Sequence, residues 1–286
     1  MDALSNLPLS ELFSSDFQLL KLSDQDKLGD ATAKLVEKNV YSAPVCSADG
    51  AVLGLLGLSD VVHLLLQVSY DKFASVPLIE AMNVSKVNDF RTLKLTDSIA
   101  EAVKILCNVD RIVVVDDKNC PTHMISKMTV IQYLGKNPKA LGDFGNKTLG
   151  ESGLYSKPVK GIKGSLSVRS AFQFLLDHRI GGVAYYDTTG HVLGNVSVKD
   201  VKHCFGACGE QFLEGPVDKF INHIRASNLR AVHPTIHVSH SDTIIFVIQK
   251  FASVKIHRMF TKETGEERTI GLVSLGDILR GAATLL

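Results

Sequence analysis

The sequence predicts an α/β fold made of one β-α-β-β-α unit repeated four times and grouped into two pairs. Three observations carry this. A turn motif returns at near-constant spacing, an amphipathic helix precedes each copy of it, and the intervening strands are apolar on both faces. The motif occurs in AVLGLLGLSDVVHLL (51–65), PTHMISKMTVIQYL (121–134), HVLGNVSVKDVKHCF (191–205) and RTIGLVSLGDILRG (268–281). Aligned, these place Asp60, Thr129, Asp200 and Asp277 in register, with steps of 69, 71 and 77 positions. A fixed period of this kind marks one structural unit used repeatedly.

Each element follows in order. A short strand opens the unit, as in RTLKL (91–95) and TIHV (235–238). An amphipathic helix comes next: DATAKLVEKNV, SIAEAVKILCNV, VRSAFQFLLDHRI and TIIFVIQKFASVKI. Apolar residues recur three and four positions apart, as Ile99, Val103 and Leu106 do, the period of one buried helix face. Ser98 and Glu101 form a capping-box pattern at the start of the second helix. A second strand follows (APVCS, RIVVVD, GVAYYD, HRMFT), then a polar turn (ADG, DDKN, TTG, KETGEE), a third strand, and the Ser/Thr-and-Asp turn into a closing helix. One unit of about 60 residues buries too little core to stand alone. Strands apolar on both faces want cover from both sides. The pairs expected are 1–140 (repeats at about 18–68 and 88–137) and 141–286 (repeats at about 148–207 and 230–286), joined by the Gly- and Asn-containing linker GKNPKALGDFGNK at 135–147.

Composition narrows the function classes. The 286 residues are 45% apolar and 21% charged, with a net charge of +1. That balance offers no general attraction to nucleic acid or to a membrane surface. No apolar stretch approaches the ~20 residues of a membrane span. The start MDALSNLPLS lacks a basic segment, so no secretion signal is expected. Five scattered cysteines, an odd number, suggest reduced thiols in the cytoplasm or nucleus.

With these motifs in hand, the chain resembles the cystathionine-β-synthase (CBS) domain family, with four tandem repeats over nearly its whole length. The family signature, Gly, two apolar residues, Ser/Thr, two variable residues and Asp, is intact at Gly194–Asp200 and Gly271–Asp277. At Gly54–Asp60 it is partial, because Gly57 occupies the hydroxyl position. At 123–129 it is broken, because Thr129 replaces the acid. The four-repeat length and the stretch KIHRMF…GLVSLGDIL are similar to the gamma subunit of AMP-activated protein kinase. The resemblance implies two Bateman modules closing into a pseudo-symmetric disk that binds AMP, ADP and ATP in clefts. It also implies a kinase catalytic subunit and a beta scaffold as partners.

Carried onto this chain, the resemblance gives Asp277 and Ser274, Asp200 and Ser197, and Asp60 alone, the ribose-side roles. It gives His257, Arg258 and Arg111 the phosphate-side roles. The chemistry is sound in itself. A carboxylate accepts two hydroxyl protons, a helix N-terminus favours phosphate, and Arg adds charge-assisted bonds. Ser-x-x-Asp at a helix start is equally a capping box. The phosphate-facing pair is thinned elsewhere: Asp110-Arg111 in repeat two, Tyr41-Ser42 in repeat one and Gly181-Gly182 in repeat three. His178-Arg179 sits at a helix end, where a cation complements the dipole. Lys127 follows Ser126 and either reaches a phosphate or is solvated. Arg225 or Arg230 could reach a neighbouring phosphate. The segment LPLSELFSSDF (7–17) could pack on its own module or dock a scaffold.

His203, Cys204 and Cys208 fall short of the four ligands of a structural zinc site, so no metal is expected. No Walker loop, dinucleotide fingerprint or nucleophile elbow is present, so no catalysis is expected. The leading expectation is a non-catalytic nucleotide-sensing regulatory subunit of an AMP-activated-type kinase. The alternatives are a scaffolding CBS-repeat protein with degenerate sites, or a CBS regulator of a different enzyme.

Overall fold

The computed structural model describes residues 4, 6–14, 17–87, 89–156, 158–206, 208–227, 235–262, 269, 271–284 and 286. It is a mixed α/β protein of four similar units. The first runs β1 (Leu22–Ser23), α1 (Leu28–Glu37), β2 (Ser42–Cys46), β3 (Val52–Gly57), α2 (Leu58–Gln67). The second runs β4 (Thr92–Leu93), α3 (Ile99–Leu106), β5 (Arg111–Val115), β6 (Pro121–Ser126), α4 (Lys127–Lys136). The third runs β7 (Gly161–Lys163), α5 (Val168–Asp177), β8 (Gly182–Tyr186), β9 (Val192–Ser197) and closes in a 3-10 turn, Val198–Cys204. The fourth runs β10 (His237–Ser239), α6 (Ile244–Val254), β11 (Arg258–Lys262), β12 (Gly271–Ser274), α7 (Leu275–Ala283).

Each unit forms its own three-stranded sheet. The first strand is parallel to the second, with the helix as crossover, and the second is antiparallel to the third. A parallel pair needs such a crossover, whereas an antiparallel pair needs only a tight turn. The hairpin turns carry residues suited to positive φ: Gly50 at 90°, Asn119 at 60° and Gly190 at 86°. The KETGEE turn of the fourth unit lies outside the described residues.

The chain divides into two compact units that interleave in sequence. Unit one comprises residues 1–19, 90–159 and 236–286, and unit two comprises 20–89 and 160–235. Unit one therefore holds repeats two and four, and unit two holds repeats one and three. This grouping differs from the consecutive pairs 1–140 and 141–286. The reason is helix packing: α4 lies against α6 and α3 against α7 in unit one, while α2 packs on α5 and on the 3-10 turn in unit two. Each unit has one apolar core. Val103, Leu106, Ile112, Phe251 and Ile278 contribute to the first. Leu35, Val45, Leu56, Phe172 and Phe220 contribute to the second. Burying one such side chain is worth about 1.5–3 kcal/mol.

One further expectation changes. The 135–147 segment is more than a linker, since a 3-10 segment at Pro138–Asn146 buries Leu141 and Phe144 in the core of unit one. The N-terminal segment packs on its own unit. Leu9 is fully buried, its N–H donates to the Asp97 carbonyl (2.9 Å), and the Leu7 carbonyl accepts from Ile99 N–H (2.9 Å).

Candidate functional site

The four signature turns first serve the backbone. A helix start leaves free N–H groups, and each turn supplies acceptors for them. At α7, the Ser274 N–H and Oγ–H both donate to Asp277 Oδ2 (2.8 and 2.6 Å), and Asp277 N–H donates to Ser274 Oγ (3.3 Å). In repeat three, Ser197 N–H and Oγ–H donate to Asp200 Oδ2 (2.7 and 3.0 Å). In repeat two, Thr129 Oγ1 accepts from Ser126 N–H (3.1 Å), and Thr129 N–H returns a bond to Ser126 Oγ (3.2 Å). Threonine thus performs the missing acid's capping role.

Repeat one differs most. Gly57 has no hydroxyl to offer, and its N–H donates to Asp60 Oδ2 (2.9 Å). Asp60 Oδ1 accepts from both the N–H and the Oγ–H of Ser85 (3.0 and 2.7 Å). Asp60 is only 5% exposed, and burial raises its pKa against the partial relief of these hydrogen bonds. Asp60, expected on the ribose side, instead takes its pair of donors from Ser85 in this structure.

The first signature position shows how each turn is overlaid. Its occupants are Gly54, His123, Gly194 and Gly271. A Cβ at Gly54 would strike Met82 and Asn83, just upstream of Ser85. One at Gly194 would strike the Arg225 guanidinium and the Tyr185 ring, and one at Gly271 the Ser156 carbonyl and Thr261. Ser156 also bridges to Leu272 as an added strand contact. His123 stands where glycine is otherwise found, and the rings of Phe13 (4.3 Å) and Phe17 (5.2 Å) pack on it. In every repeat the protein's own chain lies against this position. Glycine is used where backbone or a guanidinium must come close.

Unit one gathers charge. Lys127 Nζ pairs with Asp110 Oδ1 at 2.7 Å. Burial alone would raise the Asp110 pKa, but Lys127 first, then Arg111 and His257, hold it below the usual carboxylate range. Residues of repeats two and four therefore share one electrostatic neighbourhood. The Cys107 thiol is pushed up by burial and eased down by Arg280 and Lys127. Arg280 in turn bonds Asp277 Oδ1 at 2.5 Å. Arg258 lies across the hairpin from Ser274, as Arg111 does from Ser126. The His257 carbonyl accepts from Leu275 N–H (3.1 Å) and helps set the α7 start. Ser274, Asp277, His257, Arg258 and Arg111 thus belong to unit one, while Ser197, Asp200 and Asp60 belong to unit two.

Sequence reasoning missed two participants, Arg280 and Ser85, and named Lys127 without its partner. Lys127 is held by Asp110 rather than solvated, and the hairpin register that puts Arg111 opposite Ser126 was the available signal. Arg280 lies one helical turn from Asp277, a readable i,i+3 pair. Ser85 lies 25 positions from Asp60 and carries no pattern that marks it.

Other expected sites resolve into structural roles. His178 caps α5, its Nδ1 lying 3.0 Å from the Phe174 carbonyl and its ring stacked on Phe174. Arg225 lies 3.4 Å from the Leu193 carbonyl in repeat three. Arg230 falls outside the described residues. Cys204 is buried and its thiol pKa is pushed up to about 12, chiefly by burial. Among the described residues no group of three or more His, Cys, Asp or Glu could hold a metal ion, and no helix is long and apolar enough to cross a membrane.

Comparison with known proteins places this architecture. The sequence pattern of the CBS domain matches residues 10–67. Relatives include sds23/moc1 of Schizosaccharomyces pombe, 22% identical over 87% of this chain and 67% of that protein. They also include SDS23 of Kluyveromyces lactis, 27% identical over 71% and 46%, and SDS24 of Saccharomyces cerevisiae, 23% identical over 92% and 56%. The chain spans between 46% and 67% of the length of these three. A solved protein of Methanocaldococcus jannaschii, proposed as an archaeal homologue of the AMP-activated kinase gamma subunit, superposes with a TM-score of 0.79 at 14% identity, covering 96% of this chain and 99% of that one. An uncharacterised Pyrococcus horikoshii protein superposes at 0.58 with 16% identity, covering 96% and 100%. These two likenesses concern the fold. The kinase catalytic subunit and beta scaffold are withdrawn as partners: the sequence relatives are Sds23 and Sds24 proteins, and the gamma-like neighbour shares architecture alone. Residues 10–67 match the CBS-domain pattern, and the structure has the fold of four CBS-type β-α-β-β repeats.

Proposed function

We propose that this chain is a non-catalytic CBS-repeat regulator of an enzyme other than an AMP-activated-type kinase, with its signature acids turned mainly to structural use. The observation that carries this reading is the closure of the turns. Asp60 is sealed by Ser85 and Gly57, and Asp277 is bonded on both oxygens by Ser274 and Arg280. The likeness to Sds23 and Sds24 supports a regulatory role, and a protein phosphatase is the enzyme class we put forward. Free thiols at all five cysteines support a reducing compartment, the cytoplasm or nucleus. The test is a binding and activity assay of purified chain against protein phosphatase catalytic subunits, with an AMP-activated-type kinase as the counter-case. Binding that alters phosphatase activity and spares the kinase is expected. Kinase binding alone overturns the reading.

A second reading, adenine-nucleotide binding, is favoured in unit one alone. There Arg111, Lys127 and His257 surround Asp110, and Arg280 sits on the repeat-four turn. An anion entering this neighbourhood would meet more cations than acids, with a helix N-terminus nearby. Calorimetric titration with AMP, ADP and ATP is expected to show one site, weakened about tenfold or more by Arg111→Ala and unaffected by Asp60→Asn, tenfold being about 1.4 kcal/mol. No heat with any of the three nucleotides removes this second reading and leaves the first intact.

A further inference from the structure

Unit two holds a cleft of about 540 Å³ beside the 3-10 turn that closes repeat three. Its size falls within the range of small-molecule sites, roughly 300–1,000 Å³. One wall is α1, from Gly29 to Glu37. The other is built from Tyr70 and Phe73 and from the end of repeat three, with Lys202 and Phe205. The walls are tied together before any ligand arrives. Tyr70 Oη–H donates to the Cys204 carbonyl at 2.5 Å, and the Phe73 and Phe205 rings pack at 5.4 Å.

Two features say what would fit. The lining is mostly apolar and aromatic, with Val36, Phe73 and Phe205 as its bulk. Thr32, also in the lining, is 3% exposed, and its Oγ1 has no hydrogen-bond partner. A buried hydroxyl left unpaired is costly, and because Oγ1 is closed to solvent the cost falls on the wall of the cleft and not on a ligand contact. The charges are asymmetric as well. Glu37 has its own cation, Lys38, at 3.9 Å, whereas Lys202 makes no ion pair among the described residues and has Lys199 and His203 for neighbours. Among the described residues Lys202 is thus an unpaired cation in the lining.

We propose that this cleft binds a small aromatic amphiphile with one anionic group. Its rings lie against Val36, Phe73 and Phe205, and its anion meets Lys202. The site is independent of the nucleotide question, which concerns unit one.

Two fluorescent probes test it on the full chain: 8-anilino-1-naphthalenesulfonate, and N-phenyl-1-naphthylamine, which lacks the sulfonate. The sulfonate is expected to bind one per chain and the uncharged amine about tenfold weaker, as loss of one ionic contact in a partly dry site would give. Lys202→Met should bring the two probes to equal affinity. Ala33→Phe, on an exposed α1 position in the lining, should fill the cleft and weaken both probes more than about tenfold. Thr32→Val should raise the melting temperature, because it removes the unpaired hydroxyl, and leave both probe affinities unchanged. Circular dichroism confirms that each variant is folded. The proposal fails if neither probe binds, if Ala33→Phe binds both unchanged, or if the sulfonate gives no advantage in the parent chain.

Discussion

Asp60 in unit two and Asp277 in unit one occupy the same position of the same motif, yet they meet opposite fates. Asp60 is 5% exposed and bound by a serine from another segment of its unit. Asp277 has a side chain 19% exposed and leans on Arg280, whose own side chain is 55% exposed. One acid is locked by neutral donors in the interior, and the other is held by a cation at the rim. The motif therefore specifies a helix start, and its further use depends on which donors the rest of the chain delivers. Unit two delivers Ser85 and seals the turn. Unit one delivers arginine, lysine and histidine and leaves a positively biased neighbourhood.

The largest expected effect separates the two acids by stability. Asp60→Ala leaves the Ser85 hydroxyl, the Ser85 N–H and the Gly57 N–H without their acceptor in a part-buried place, and should cost about 2–4 kcal/mol. Asp277→Ala removes a partly exposed cap and should cost about 1 kcal/mol. Urea unfolding followed by circular dichroism measures both. Equal losses would erase the contrast. Ser85→Ala sharpens it, since it should reproduce part of the Asp60→Ala loss and leave the α7 turn untouched.

Much of the fold is legible in the sequence alone. The four repeats, the strand and helix of each, and the capping function of the signature all follow from period, apolar spacing and turn chemistry. Local patterns reveal them because the interactions are local. The closure of Asp60 depends on Ser85, which belongs to no repeating element, so nothing periodic announces it. The interleaving of the units depends on which helix faces match in shape, as α4 and α6 do, and composition alone does not encode that. His123 is visible in the sequence as a departure from glycine. The packing of Phe13 and Phe17 on it is not, because it depends on the N-terminal segment burying Leu9 in unit one.

A second contrast is in pH dependence, with opposite signs. Burial raises the pKa of Asp60 in the folded chain. Its contribution to stability is therefore greatest below the unfolded value of about 3.9 and is lost as the pH rises through the folded value. Burial acts on Asp110 in the same sense, but Lys127, Arg111 and His257 outweigh it and depress its pKa. Its contribution is present above the unfolded value and is lost as the pH falls through the folded one. Urea midpoints measured from pH 6 to pH 3 should fall more steeply for Asp60→Asn than for the parent, and less steeply for Asp110→Asn. The Asp110 effect should be the smaller, because that side chain is 42% exposed and solvent screens the pair. Slopes that change in the same direction would show that the two carboxylates do not differ as the geometry requires.

The smallest expected effect comes from restoring the acid that repeat two lacks. Thr129 already accepts from Ser126 N–H and donates its own N–H to Ser126 Oγ, so Thr129→Asp replaces one cap with another. The new charge gains from the helix dipole, about 0.3–1 kcal/mol. It also enters the neighbourhood of Asp110, whose partner Lys127 it would compete for. These terms oppose each other, and the net change in unfolding free energy should stay within about 0.5 kcal/mol. The informative readout is ligand binding. If an acid at this position were enough to make a nucleotide site, Thr129→Asp would create a second site in unit one. Capping alone predicts calorimetric traces with AMP and ATP that show no new site. A second site on titration would mean that the motif carries ligand specificity by itself, and the contrast between Asp60 and Asp277 would then lie in access rather than in the donors around them.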